Sequence, residues 1–150
     1  MTGPLSPSLV LVPVDESEES LSAVEYTAAI AAEYDARIHA LYVVGEDLAH
    51  AIDTGAVDHE TLAADTEAFL RGVADTVAAA GVSLSTSMTH GFSTARLSRH
   101  PGSVVLDTAE EIGADFVVVP REPISDDPEE MLAKAAEYVL LYARQPVLSV

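Results

Sequence analysis

The sequence contains no cysteine among its 150 residues. This absence excludes disulfide frameworks, thiolate metal sites and thiol catalysis. A chain of this length buries roughly 70% of the surface that its unfolded form exposes, so a hydrophobic core can stabilise it without cross-links. Length and composition together predict a single globular domain over residues 1–150.

Basic residues are also scarce, with 7 Lys and Arg against 25 Asp and Glu and a formal net charge of −18. A surface of this charge would repel phosphate backbones and anionic lipid, which argues against nucleic acid and membranes as partners. Lys134 is the single lysine. Scarce lysine beside abundant Asp and Glu resembles the composition of proteins from very salty cytoplasm. Because salt screens the repulsion between carboxylates, we expect the fold to weaken in dilute buffer.

The sequence gives no sign of a targeting or membrane segment. Residues 1–8 lack the basic start and the long apolar core of a signal peptide. The longest uncharged run, residues 76–95, contains eight Ser or Thr residues and two Gly residues, which is unlike a membrane span. We therefore expect a cytoplasmic protein.

Predicted strands and helices alternate along the chain. Apolar or β-branched runs predict strands at 8–14, 37–44, 82–89, 115–119 and 146–150. Apolar residues at helical spacing predict helices from an N-cap at Ser17 to Tyr34, from about 62 to a cap at Gly81, over 103–112 and over 128–143. This order predicts an α/β fold, a doubly wound five-stranded parallel sheet of order 3-2-1-4-5 with helices on both faces.

The polarity of the strands supports that sheet order. The first and fourth strands are apolar throughout, as expected of central strands covered on both faces. The third strand alternates, with Val82, Leu84, Thr86 and Met88 on one face and Ser or Thr on the other. A strand with one solvent-exposed face is expected at the edge of a sheet.

In such a sheet, ligands bind outside the carboxyl ends of the strands, where the winding reverses between the first and fourth strands. The residues at these ends are therefore candidate binding residues. They are Pro13, Val14 and Asp15 after the first strand, Val44 after the second, and Pro120, Arg121, Glu122 and Pro123 after the fourth. Two interpretations of Asp15 stay open, because an Asp before a helix can contact a ligand or cap exposed N–H groups.

Three segments occur in a distinctive order and spacing, namely LVPVDESEES at 11–20, GADFVVV at 113–119 and QPVLSV at 145–150. In this arrangement they resemble the opening, middle and closing signatures of the universal stress protein domain. The resemblance spans essentially the whole chain. It implies an adenine-nucleotide-binding-like α/β fold and a homodimer joined through the last strand, Pro146 to Val150.

The same resemblance points to a nucleotide site. Many members of that family bind ATP through Gly-x-x-Gly, nine residues and Gly-Ser/Thr after the fourth strand, with an Asp of the first strand on the nucleoside. Asp15 matches that Asp. Pro120 and Pro123 stand at the first two glycines, Ala133 at the third and Lys134 at the Ser/Thr.

Every glycine of that pattern is absent, and glycine is what lets a backbone approach phosphates closely. Proline has no N–H to offer a phosphate. The acidic segment 126–130 predicts a capping box at the start of the last helix, where its carboxylates would repel ATP. The sequence therefore predicts a degenerate nucleotide-binding loop and no resident cofactor, with ATP as the alternative.

Other polar residues carry weaker signals. Arg121 and Lys134 could replace the lost amide donors as point charges, although ion pairs with nearby carboxylates explain both. The loop with Arg96, Arg99 and His100 could form an anion or partner site, and an ordinary surface loop is the simpler interpretation. The five histidines lack metal-ligand spacing, and no serine lies in a Gly-x-Ser-x-Gly turn.

The sequence thus predicts a non-catalytic binding or regulatory module that forms a homodimer and meets an unidentified protein partner. One alternative is an ATP or AMP switch, or a slow ATPase, that uses Asp15, Arg121 and Lys134 in a remodelled phosphate site. Another alternative is an accessory subunit of a transporter.

Overall fold

The computed structural model describes residues 6–15, 18–43, 54–55, 59–89, 101–120 and 138–150. Its strands are β1 (Leu9–Val14), β2 (Arg37–Val43), β3 (Leu84–Thr89), β4 (Phe116–Val119) and β5 (Val147–Ser149). Its helices are α1 (Glu18–Tyr34), α2 (His59–Ala79), α3 (Pro101–Ile112) and the described part of α4, residues 138–142. The strands form one parallel sheet of order β3-β2-β1-β4-β5, which confirms the predicted fold class and order.

Two hydrophobic cores lie on opposite faces of this sheet. Side chains of β1 alternate between them, so that Val10, Val12 and Val14 pack with α1 and α2, whereas Leu9 and Leu11 pack with α3 and α4. Every residue of β1 and β4 is buried, because helices cover both sides of the sheet centre. The prediction of two central apolar strands is confirmed.

Three helices end on a residue with left-handed backbone. Gly81 and Gly113 have φ of 76° and 75°, and Asp35 takes the same conformation with φ of 55°. The next residue in each case donates its N–H five residues back, from Ala36 to Ala31, from Val82 to Val77 and from Ala114 to Ala109. These bonds satisfy carbonyls that a helix end leaves unpaired, and they confirm the cap predicted at Gly81.

Several element boundaries differ from the prediction. Helix α3 begins at Pro101, two residues before the predicted start, because proline at the first helical position lacks only an N–H that has no partner there. Strand β5 covers Val147–Ser149, the middle of the predicted 146–150. The Ser17 cap, residues 90–100 and residues 121–137, including the predicted capping box, lie outside the described residues.

The edge position of β3 is confirmed, but its predicted alternation is wrong in the carboxyl half. Leu84 packs against the core as expected, whereas Met88 is 45% exposed. On the face predicted to be wet, Ser87 is half-buried and, like Ser85, forms a hydrogen bond with the buried His39 of β2. The difference on this face arises because Ser87 has a polar partner on the neighbouring strand, whereas Ser85 stays exposed beside the same histidine.

The Asp115 carboxylate joins the beginnings of β1 and β4. It accepts hydrogen bonds from the backbone N–H groups of Ser8 and Leu9 and from the Ser8 hydroxyl, all at 3.0 Å. Partial burial alone would raise the pKa of Asp115, but these hydrogen bonds outweigh it and hold the pKa below its ordinary value of 3.8. Asp115 therefore fixes two strands that are far apart in sequence.

We predict that Asp115→Asn lowers the free energy of unfolding by about 1–2 kcal/mol at neutral pH, because charge-assisted hydrogen bonds are lost. Since the folded pKa lies below the unfolded one, this stabilisation is present above pH 3.8 and is lost as the pH falls through the folded value. Urea unfolding in molar KCl at neutral pH and at about pH 3 measures both effects.

The exposed Asp75 of α2 provides the control, since Asp75→Asn removes the same charge without these contacts. An equal loss in both variants at neutral pH, or an Asp115→Asn deficit that persists at low pH, would contradict the assignment.

Candidate functional site

The candidate site lies where the ladder between β1 and β4 ends before the strands do. Register pairs join Val10 to Phe116 and Leu11 to Val117, whereas β1 continues beside β2 as far as Val14. The carboxyl ends of these parallel strands lie at the same edge of the sheet. This is the point at which the winding reverses, and it is the place where open α/β sheets bind ligands.

Four of the candidate residues meet at this edge. Pro13 and Val14 end β1 and are buried, Asp15 follows them with partial exposure, and Pro120 directly after β4 is buried. The other candidate residues, Val44, Arg121, Glu122, Pro123 and Lys134, lie outside the described residues, as do Arg96, Arg99 and His100. Within the described part of the crevice, Asp15 is therefore the candidate that offers a polar side chain.

Asp15 is held by a serine that the sequence reasoning did not place in the site. The N–H of Asp15 donates to Ser20 Oγ at 2.8 Å, and the Ser20 hydroxyl donates to Asp15 Oδ1 at 2.9 Å. Ser20 is fully buried in the first turn of α1. The pair resembles one half of a capping box, since a side chain in the first turn accepts the N–H of a residue before the helix. The sequence signal for this contact was a Ser five residues after an Asp at a predicted helix start.

The beginning of α1 already carries its own negative charges. Asp15 lies just before the helix, and the half-buried Glu19 is in its first turn. Carboxylates at this position stabilise a helix, because they face the positive end of the helix dipole. A phosphate placed at the same helix end would meet their charge, so this end of the crevice suits a neutral hydroxyl better than an anion.

The described residues outside the crevice offer little further chemistry. Their salt bridge, Arg71 with Glu67 on α2, is exposed at both ends and contributes a few tenths of a kcal/mol. Within these segments, no group of three or more His, Asp or Glu side chains is placed to hold a metal ion. None of the described helices is long and apolar enough to cross a membrane.

A model of the universal stress protein family matches residues 9–150. The chain belongs to the universal stress protein family. A universal stress protein of Methanocaldococcus jannaschii is 28% identical over an alignment of 146 residues, and the match covers 94% of this chain and 80% of the relative. The family resemblance carried by the three sequence segments is therefore confirmed.

Solved structures of universal stress proteins share the fold. One, determined in complex with cAMP, has a TM-score of 0.70 at 23% identity and covers 97% of this chain and 98% of its own. Another, from Archaeoglobus fulgidus in complex with dAMP, has a TM-score of 0.64 at 16% identity, with 97% and 98% covered. At these identities the likeness establishes the universal stress protein architecture and leaves the ligand of each chain to its own residues.

We predict that Ser20→Ala lowers the free energy of unfolding by about 1–2 kcal/mol, because it removes the two hydrogen bonds that join Ser20 to Asp15 in a partly buried position. Ser22→Ala, an exposed change on the same helix, should stay within about 0.5 kcal/mol of the wild type. Urea unfolding of both variants in molar KCl makes the comparison. Equal effects of the two changes would show that the Asp15–Ser20 pair does not stabilise the start of α1.

Proposed function

We propose that this universal stress protein is a non-catalytic binding or regulatory module, acting in the cytoplasm, whose phosphate site is altered. The observation that carries the proposal is the buried Pro120 at the carboxyl end of β4, beside the end of β1. A phosphate site at this position depends on backbone N–H donors, and proline supplies none. The module therefore binds triphosphates weakly or not at all.

The charges beside the crevice support the same proposal. Asp15 and Glu19 lie together at the start of α1, and the whole chain carries a formal charge of −18. These carboxylates would repel the three or four negative charges of ATP. High salt or a divalent cation reduces this repulsion, but neither replaces the N–H that Pro120 lacks.

A second candidate function is the binding of an adenine nucleoside monophosphate. The related structures in complex with cAMP and dAMP favour it, since both ligands carry a single phosphate. Asp15 is partly exposed at the end of β1, where a carboxylate can accept hydrogen bonds from ribose hydroxyls. A ligand anchored by its nucleoside depends less on the phosphate cradle than ATP does.

Calorimetric titration in molar KCl, with and without Mg²⁺, tests these proposals with ATP, AMP and cAMP as probes. For ATP we expect a Kd of about 1 mM or weaker, because Pro120 offers no N–H donor at the carboxyl end of β4. Any AMP or cAMP binding should be lost in Asp15→Asn, which keeps the shape of the side chain but removes the charge that attracts hydroxyl donors.

Leu21→Ala, a change on the exposed side of α1, is the control variant for folding and concentration. Micromolar ATP binding that is weakened by Lys134→Ala would contradict the altered phosphate site and would establish a remodelled one. Absence of all nucleotide binding in folded protein would reject the monophosphate candidate and leave a protein partner as the target of the module.

We further propose that two copies pair through β5. This strand pairs with β4 on one side, where the N–H of Val150 bonds to Val119 and the carbonyl of Pro146 bonds to Val117. In parallel pairing, the N–H and C=O groups of Val147 and Ser149 then point away from β4. Such an apolar edge strand is a template for another strand, and antiparallel pairing with a second copy would satisfy it.

We predict a dimer in molar KCl by sedimentation equilibrium, and a monomer for Ser149→Pro. Proline removes the N–H that points away from β4 and leaves the β4–β5 hydrogen bonds in place. Ser149→Ala keeps the N–H and should remain a dimer. A monomeric wild type, or a Ser149→Pro variant that is still dimeric with native circular dichroism, would exclude pairing through β5.

A further inference from the structure

The face of the sheet formed by β2 and β3 contains a buried histidine that the proposed function does not use. His39 is 8% exposed and lies in the middle of β2. Its Nδ1 is 2.7 Å from Ser85 Oγ, and its Nε2 is 2.7 Å from Ser87 Oγ. Both ring nitrogens therefore bond to the neighbouring strand.

The register explains how one imidazole contacts two serines. His39 pairs directly with Ser85 in the parallel ladder, and Ser87 is the next residue of β3 on the same face. Among the strands that the structure describes, β3 has a neighbour on the β2 side alone. The side-chain bonds from His39 thus attach an edge strand to the sheet. We call the three residues the His39 clasp.

A neutral imidazole fits the clasp without any unpaired polar atom. One ring nitrogen donates its N–H to a serine hydroxyl, and the other accepts a hydrogen bond from the second hydroxyl, since each hydroxyl can do either. A protonated imidazole would place a positive charge in the same buried position. Burial opposes that charge and lowers the pKa of His39 below its ordinary value of 6.5.

In the part of the chain that the structure describes, no buried carboxylate lies beside the clasp to stabilise a protonated His39. Strand β1 contributes apolar side chains to this face, Leu9 and Leu11, and β3 contributes hydroxyls. On β2 itself, Arg37 lies two residues before His39 on the same face, and its charge disfavours a second cation. The acidic residues of α3 are exposed, namely Asp107, Glu110 and Glu111.

We propose that the His39 clasp is an acid-sensitive latch, in which protonation of the imidazole releases β3 from the edge of the sheet. Each serine hydroxyl can accept an N–H of the cation, so protonation keeps both hydrogen bonds but leaves the charge in a position with little water. Opening of the edge strand β3 hydrates the cation, at the cost of exposing Leu84, which packs against the core. The stabilisation is present above pH 6.5, the unfolded value, and is lost as the pH falls toward the lower folded value. The latch is independent of nucleotide binding.

Hydrogen exchange of the backbone amides tests this proposal in molar KCl between pH 7.5 and about pH 5. After correction for intrinsic exchange, protection of residues 84–89 should fall as the pH decreases, by about tenfold for each unit by which the folded pKa lies below the unfolded one. Protection of β1 and β4 should stay constant. His39→Gln, which can still bond to a serine but does not titrate in this range, should abolish the pH dependence.

Two further variants keep the test decisive. His59→Gln removes a histidine of α2 and should leave the pH dependence of β3 unchanged. Ser85→Ala with Ser87→Ala should bring the His39 pKa closer to 6.5, as followed by NMR titration of the ring protons, because the ring then meets more water.

Three results would overturn the latch. They are a His39 pKa of 6.5 or above in the folded wild type, an unchanged pH dependence in His39→Gln, and a loss of protection that affects β1 and β4 together with β3.

Discussion

The burial of β1 and β4 on both faces is the constraint on which the rest of this structure depends. A strand that is covered on both sides must satisfy all of its backbone polar groups within the sheet, so both strands need parallel neighbours and helical crossovers. Right-handed crossovers then place α1 and α2 on one face and α3 and α4 on the other. The Asp115 carboxylate fixes the amino ends of these two strands, and their carboxyl ends form the crevice.

The crevice follows from this arrangement, whereas its chemistry follows from a few residues. Any doubly wound sheet has a switch point, the place where the winding reverses, and the fold alone does not determine what binds there. In this protein the switch point carries Asp15, which is held in place by Ser20, and the buried Pro120, which has no N–H. A carboxylate accepts hydrogen bonds from hydroxyl groups and repels phosphates, so nucleoside recognition and triphosphate binding place different demands on these residues.

The sequence predicted the sheet order and the carboxyl-terminal ends of α1, α2 and α3 well, because the polarity of each strand and the cap of each helix are local signals. Gly81 ends α2 as predicted, since a left-handed residue after an apolar helical stripe is a local feature. The predicted burial of the β3 side chains was wrong beyond Leu84. The alternation of polar and apolar residues in one strand carries no information about the side chains of the neighbouring strand. Ser87 is half-buried by His39, a residue 48 positions away, and nothing in the periodicity of either strand indicates that contact.

The sequence by itself therefore determined the family, the fold class, the order of the strands and the position of Asp15 at the end of the first strand. Only the tertiary structure decided which polar groups meet, including Asp115 with Ser8 across 107 positions and His39 with Ser85 across 46. The physical reason is that periodicity and caps act within a few residues of the chain. Hydrogen bonds between strands depend on register, and register is set by packing of the whole sheet between its helices.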